Sequence, residues 1–512
     1  MKRILGFLTL VFVIFGLASC KENYENRVVA QAKDFDYDLT SVTFTVEIIT
    51  GSAEITGIIN LSLYNQDDLR VHNKDTQNIE DFRNYKITGL NNTHTYTLKV
   101  TATVGRRLET IVEQTFTLPT AETIYINSTT EFLNMSANRV GNYVLQKDLD
   151  FTGVTFASPF TQAFSGTFDG QGFTLSNITF ERIVAYTGVF GYITTGTVKN
   201  VKFDNVTIGT KEAPIQMATS SMVGIVAGYV NNQTGKIENV HVTNSTIAYQ
   251  TSSTVRAHAG AIVGDSRGDV QQAVAENTSI YVKSTSYGTI NVGGAVGNLN
   301  ETAILKNMMM DVDIHVELAG NNIKDREVKV NVGGVIGYHN AINFNRSVEN
   351  LISKGDIKLD LDFGTAQNTT KADYSVNVGG IAGIAMSNVN QALVMGSIEV
   401  NHQANAFEEN ASKYFNIGGL YGFYRSNKAS LANLKLTSAS NEIMINVSND
   451  VIVRASQLIA QSRSSAENIF RHYGPLHLMI NNVDQTATDN ITVITTLDGF
   501  FDSTWMDTYL PA

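Results

Sequence analysis

From Val28 to Thr120 apolar and polar residues alternate with a period of two, the pattern of strands that bury one face. Val42, Phe44, Val46 and Ile48 alternate with Thr43, Thr45 and Glu47. Tyr96, Leu98, Val100, Ala102 and Val104 alternate in the same way with Thr97, Lys99, Thr101 and Thr103. After Pro119 the pattern changes. Residues 124–135 predict a strand and then a short helix capped near Thr129 or Thr130, with Phe132 and Leu133 facing inward. Residues 143–153 predict another strand and turn.

Beyond residue 181 the pattern repeats. Aligned on a shared glycine, the chain reads TGVFG (187–191), GIVAG (224–228), GAIVG (260–264), GGAVG (293–297), GGVIG (333–337), GGIAG (379–383) and GGLYG (418–422). The terminal glycines are 37, 36, 33, 40, 46 and 39 residues apart. A second column holds amides: Asn200, Asn239, Gln272, Asn307, Asn350, Gln391 and Asn433. A third holds Ile208, Ile247, Ile280, Ile314, Ile357 and Ile398, seven or eight residues after the amide. Such a period signals stacked units that cannot bury an apolar face alone, so the chain is two domains and not the three or four its length suggests. Parallel coils ~4.8 Å apart would stack equivalent residues directly. Isoleucines then stack inside, glycines let the backbone bend, and amides bond along the stack.

Two segments resemble known families. Residues 85–105, YKITGLNNTHTYTLKVTATVG, resemble the fibronectin type III pattern, with Leu90 and Tyr96 as the core pair at a sheet corner. Residues 164–180, FSGTFDGQGFTLSNITF, resemble the opening turns of parallel β-helices bearing GLUG repeats, which occur in bacterial surface proteins. These resemblances imply an all-β chain: an N-terminal Ig/fibronectin-III-like β-sandwich over 28–120, then a right-handed parallel β-helix over 121–512. Within the latter, 121–180 are the cap and first coils, 181–436 the GLUG-like repeats, and 437–512 degenerate coils with a C-terminal cap near Trp505.

The first twenty residues carry an address. Lys2 and Arg3 precede an apolar stretch from Ile4 to Leu17. That stretch falls short of the ~20 residues a spanning helix needs, so it is expected to be a signal segment. Leu17-Ala18-Ser19-Cys20 resembles the lipobox of bacterial lipoproteins. The resemblance implies a signal peptide over 1–19, lipid attachment at Cys20 and a tether over 20–27. Several acyl chains at ~0.8 kcal/mol per buried methylene give stable anchoring. Lys21-Glu22-Asn23-Tyr24-Glu25 resembles the surface-export signal of Bacteroidetes lipoproteins, which implies an outer-membrane protein facing outward.

Composition narrows the chemistry. The net charge of −11 argues against a nucleic-acid reader, which would work by neutralising phosphates. Only 17% of residues are charged and 5 are proline, which argues against disorder. One cysteine excludes internal disulfides and Cys-rich zinc sites. The 9 histidines include no His-x-x-x-His pair, and no phosphate-binding loop or Gly-x-Ser-x-Gly elbow is present.

One constellation remains. Alternation puts Asp311, Asp313 and His315 on one face, and the repeat alignment stacks Asp313 on Asp356 and His315 on Lys358. Stacked carboxylates bind a cation, share a proton or are relieved by cations beside them, and Lys358 suits the last. Arg267-Gly268-Asp269 resembles an integrin-binding tripeptide, although its glycine also falls where a turn is expected. The expectation is therefore a lipid-anchored adhesion or glycan-binding protein without catalytic activity or cofactor, meeting an extracellular glycan or matrix protein. The alternative is a β-helix polysaccharide lyase or hydrolase acting on an acidic glycan, with Asp313, Asp356, His315 and Lys358 as catalytic residues and Ca²⁺ as a possible cofactor.

Overall fold

The computed structural model divides into two compact units, residues 1–121 and 122–512. It describes residues 28–493 apart from 38–40, 51–54, 92–93, 119–122, 161, 218, 252–254, 286–287, 301, 320–327, 341–347, 363–372, 387–388, 404–411, 425–433, 438–441, 448–451, 457–458, 463–469, 474–476 and 485–490. Cys20 and the leader, Asn433, and the expected cap at Trp505 lie outside the described residues.

The first unit is antiparallel. One sheet orders Val29–Tyr37, Ser41–Thr50 and Tyr85–Thr88; the other orders Arg70–Thr76, Ile55–Tyr64, Thr95–Val104 and Arg107–Thr117. Alternation sends Val42, Phe44, Leu61, Leu63, Leu98 and Val100 into one core, although Ile48, expected on the same face, is exposed. Leu90 and Tyr96 are both buried, and the Asn91 backbone N–H donates to Tyr96 Oη at 2.6 Å. That bond gives the buried phenol oxygen a donor.

The second unit is built from large parallel sheets compatible with a β-helix. Among the described residues the longest contains 23 strands, and two further sheets contain eight parallel strands each. Nearly every pairing joins a strand to its equivalent one coil later, such as Thr246–Thr251 to Asp269–Ser284 and Leu305–Ala319. Side chains of one column therefore lie over one another. Ile208, Ile247, Ile280, Ile314, Ile357 and Ile398 are all buried, and Ile443 continues them. The helix at the start of the unit spans Thr129–Leu133, and its cap is Ser128 rather than Thr129 or Thr130. Ser128 Oγ accepts from the Glu131 N–H while Glu131 Oε2 accepts from the Asn127 N–H, a reciprocal capping pair. Phe132 below it joins Phe151, Phe168 and Phe190 in closing that end of the core.

The amide column stands at bends. Asn200, Asn239, Gln272, Asn307, Asn350 and Gln391 all have φ between 51° and 58°, a conformation that asparagine tolerates better than most residues. Asn239 Nδ2 donates to Asn200 Oδ1 and Asn350 Nδ2 to Asn307 Oδ1, each at 2.8 Å. A second column shares the conformation: Asn177, Asn205, Asn244 and Asn277. The change in amide-to-isoleucine spacing has a visible cause. Ala275 pairs with Met310 and Thr278 with Val312, so Glu276 and Asn277 together oppose Asp311. One coil has lost a residue, leaving a bulge.

Candidate functional site

The bulge shapes the first candidate site. A cleft of about 390 Å³ is lined by Asn244, Ser245, Thr246, Asn277, Thr278, Ser279, Asp311 and Asp313. Partial burial, reinforced by the charge of Asp313, raises the Asp311 carboxyl above its usual range. The register stacks His315 on Lys358, with Asp313 and Asp356 each one residue before the paired isoleucines. The side chains, however, choose other partners than the expected salt lattice. Asp313 Oδ1 accepts the Asp356 backbone N–H at 3.0 Å, and Asp356 Oδ1 accepts that of Ser397 at 2.7 Å. His315 Nε2 lies 2.8 Å from Asp360 Oδ2, and Lys358 Nζ lies 3.1 Å from Glu399 Oε1. Burial acts to raise Asp360, but hydrogen bonds from Asn401 and His315 outweigh it and leave the carboxyl below its usual range. Among the described residues, no group of three or more His, Cys, Asp or Glu could hold a metal ion.

Arg267-Gly268-Asp269 is a packed turn. A Cβ at Gly268 would stand 2.3 Å from the Gly235 carbonyl oxygen, and Asp269 Oδ1 accepts the Ile304 N–H at 3.0 Å. The tripeptide is held between coils.

The second candidate site follows from the glycine columns. From Gly224 on, each repeat leaves one eight-stranded sheet at its first glycine and enters the other one residue before its last. A Cβ at Gly264 would stand 2.4 Å from Val223 N, and one at Gly337 2.6 Å from Val292 N. Only glycine allows this approach, so the two sheets meet in a crease.

One wall of the crease is an amide ladder. Asn331 Nδ2 donates to Asn291 Oδ1, Asn377 to Asn331 and Asn416 to Asn377, at 2.8–2.9 Å. Towards the first repeats, His258 takes the column, and its Nδ1 lies 3.0 Å from Asp265 Oδ2 on the facing strand. Asp265 also accepts from Asn298 at 2.8 Å and Asn300 at 2.6 Å. Next along stand Tyr186, Tyr192 and Tyr229, with Tyr192 and Tyr229 stacked at 5.7 Å. Burial, and then the charge of Asp265, pushes the Tyr229 phenol up to about 12. At the other end Ser375, Asn377, Tyr414, Asn416 and Arg454 face Ile384 and Phe423 across a cleft of about 400 Å³. The glycine alignment does not reveal this wall, although its signal is present: Asn-Val-Gly-Gly at 291–294, 331–334 and 377–380, and Asn-Ile-Gly-Gly at 416–419.

Residues 69–244 match the family model described as the M26 IgA1-specific metallo-endopeptidase N-terminal region. No curated protein sequence matches the chain. Among solved structures, the chain is similar to one titled IgA1 protease, at 12% identity and a TM-score of 0.35 over 83% of this chain. The chain spans 29% of that protein's length. The family match overturns the expectation of a non-catalytic adhesion or glycan-binding protein and points instead to a protease-related one. It lends nothing to the polysaccharide-cleaving alternative. Repeat geometry hid this, because stacked glycines, amides and isoleucines serve any β-helix whatever it binds. The described residues do not fit a peptidase metal centre: they bring no set of ligands together, and no His-x-x-x-His spacing occurs.

Proposed function

We propose that this chain is a protease-related protein whose coils engage a protein substrate, immunoglobulin IgA1 or one like it. The observation that carries the reading is the match of residues 69–244 to the M26 N-terminal region. The crease supports it, since a long furrow with amide, tyrosine and apolar walls suits a polypeptide. The coils are read as a right-handed β-helix with GLUG-like repeats, on the general handedness of parallel crossovers. The first unit is read as an Ig/fibronectin-III-like sandwich, supported by its strand order and the Tyr96–Asn91 corner. Lipid attachment at Cys20 and an outward-facing outer-membrane position would hold the chain where an extracellular protein substrate is met.

The test uses the full chain in detergent with IgA1 as probe, with binding read by surface plasmon resonance and cleavage by electrophoresis, with and without a chelator. Saturable binding that survives the chelator is expected. Neither binding nor cleavage of IgA1 would overturn the reading.

A further inference from the structure

The far end of the crease holds an unmet hydrogen-bonding demand. Phe415 and Ile417 point into the core, so alternation turns Asn416 into the crease, where it is only 3% exposed. Its Nδ2 is used on Asn377, but its Oδ1 has no hydrogen-bond partner among the described residues. A buried amide oxygen in that state costs free energy that a donor would recover. The ladder strengthens the demand, because four aligned side-chain amides polarise one another towards the last oxygen.

The walls decide which donor fits. Facing Asn416 are Ile384 and Phe423, and Arg454, which takes the next place in the column after Asn416, turns its guanidinium over the Tyr414 ring, 4.5 Å from its centre. One wall thus asks for an N–H in the repeat of a side-chain ladder, and the other for an apolar group. A sugar chain carries hydroxyls on every edge and would leave some unpaired against Ile384 and Phe423. An extended peptide presents an amide N–H and an apolar side chain within a few ångströms of each other.

We propose that this end of the crease binds an extended peptide segment, which donates an amide N–H to Asn416 Oδ1 and seats an apolar side chain against Ile384 and Phe423. The proposal deepens the reading above and rests on it for the identity of the natural ligand, a stretch of protein substrate.

The full chain is titrated against a fluorescein-labelled pool of random-sequence dodecapeptides, with labelled cellohexaose as comparison, and binding is read by anisotropy. The pool is expected to bind and the sugar not to. Ile384→Arg, which blocks the cleft without touching the ladder, is expected to weaken peptide binding at least tenfold at an unchanged melting midpoint. Asn416→Leu is expected to weaken it similarly, and backbone N-methylation of the peptides to abolish it. Undiminished peptide binding by folded Ile384→Arg, or preference for the sugar, overturns the site. IgA1 binding that both variants leave intact also overturns the site but leaves the substrate reading standing. Peptide binding lost in both variants, with IgA1 never bound, upholds the site and overturns that reading.

Discussion

Asp356 gives its backbone N–H to Asp313 Oδ1 over 3.0 Å, joining the two stacked carboxylates through the main chain. The side chain of one coil thus caps the peptide of the next, and Asp356 repeats the arrangement with Ser397. Asp313→Ala is expected to cost about 1 kcal/mol, the net worth of one hydrogen bond. Asp313→Asn keeps an acceptor and should stay within a few tenths of wild type. Urea midpoints of the two variants check this, and equal midpoints would show that the bond carries no stability.

The amide column makes a two-part test possible. Asn350 combines φ 57° with a 2.8 Å bond to Asn307 Oδ1. Asn350→Leu loses both tolerance of that backbone and the bond, for about 2–3 kcal/mol together. Asn350→Gly keeps the backbone and loses only the bond, for about 1 kcal/mol. A leucine variant as stable as the glycine variant would show that conformation plays no part.

The stacked architecture was legible because its requirements recur: one missing glycine is noise, but seven in register are a column. The isoleucines, and the place of the amides from Asn200 to Gln391 at bends, were legible for the same reason. The partners of Asp313 and His315 were not, because alignment places residues over one another without saying which way a long side chain leans. Asn416 was hidden more deeply. Its position follows from a fold between two sheets, and its bareness from the ending of a ladder. Neither is a property of any one segment. The protease relationship was illegible from coil residues, which are chosen for stacking.

The crease itself can be tested through Gly264. A Cβ there would meet Val223 N at 2.4 Å, Met222 C at 2.7 Å and the Gly228 carbonyl oxygen at 2.8 Å. All are backbone atoms and cannot rotate away. Gly264→Ala should therefore cost about 3 kcal/mol or more. Gly172→Ala, at φ +83° but facing open space, pays only the backbone penalty of about 1–2 kcal/mol. Calorimetry of both variants should place Gly264→Ala lower; the reverse order would mean that the sheets part easily.

His339 gives the unit a pH dependence. Its side chain is buried in the column between Leu299 and Ala385, and burial lowers its pKa from 6.5 to about 4. The folded state keeps the ring neutral while the unfolded chain takes a proton, so stability is complete above pH ~6.5 and falls as pH drops towards 4. The loss is on the order of 3 kcal/mol across that window. His339→Leu removes the linkage. Urea titrations at pH 7, 5.5 and 4 should show wild type losing that much more than the variant, and parallel losses would mean that His339 is protonated in the fold.

Two buried tyrosines should respond oppositely to the same substitution. Tyr249 is fully buried in the core, and its Oη has no hydrogen-bond partner among the described residues. Burial alone pushes its phenol upward, as expected where nothing stabilises the oxygen. Removing that oxygen relieves an unpaired polar group and leaves the ring packed, so Tyr249→Phe should gain about 1 kcal/mol. Tyr143 is also buried, but its Oη lies 2.6 Å from the Asn138 carbonyl and 3.1 Å from that of Met135. Tyr143→Phe takes the donor from both and should lose about 1–2 kcal/mol. The ring and the lost atom are identical, so any difference reads the hydrogen bonding alone. Melting midpoints that move in opposite directions bear this out; a drop in both would mean that the Tyr249 hydroxyl is paired in solution.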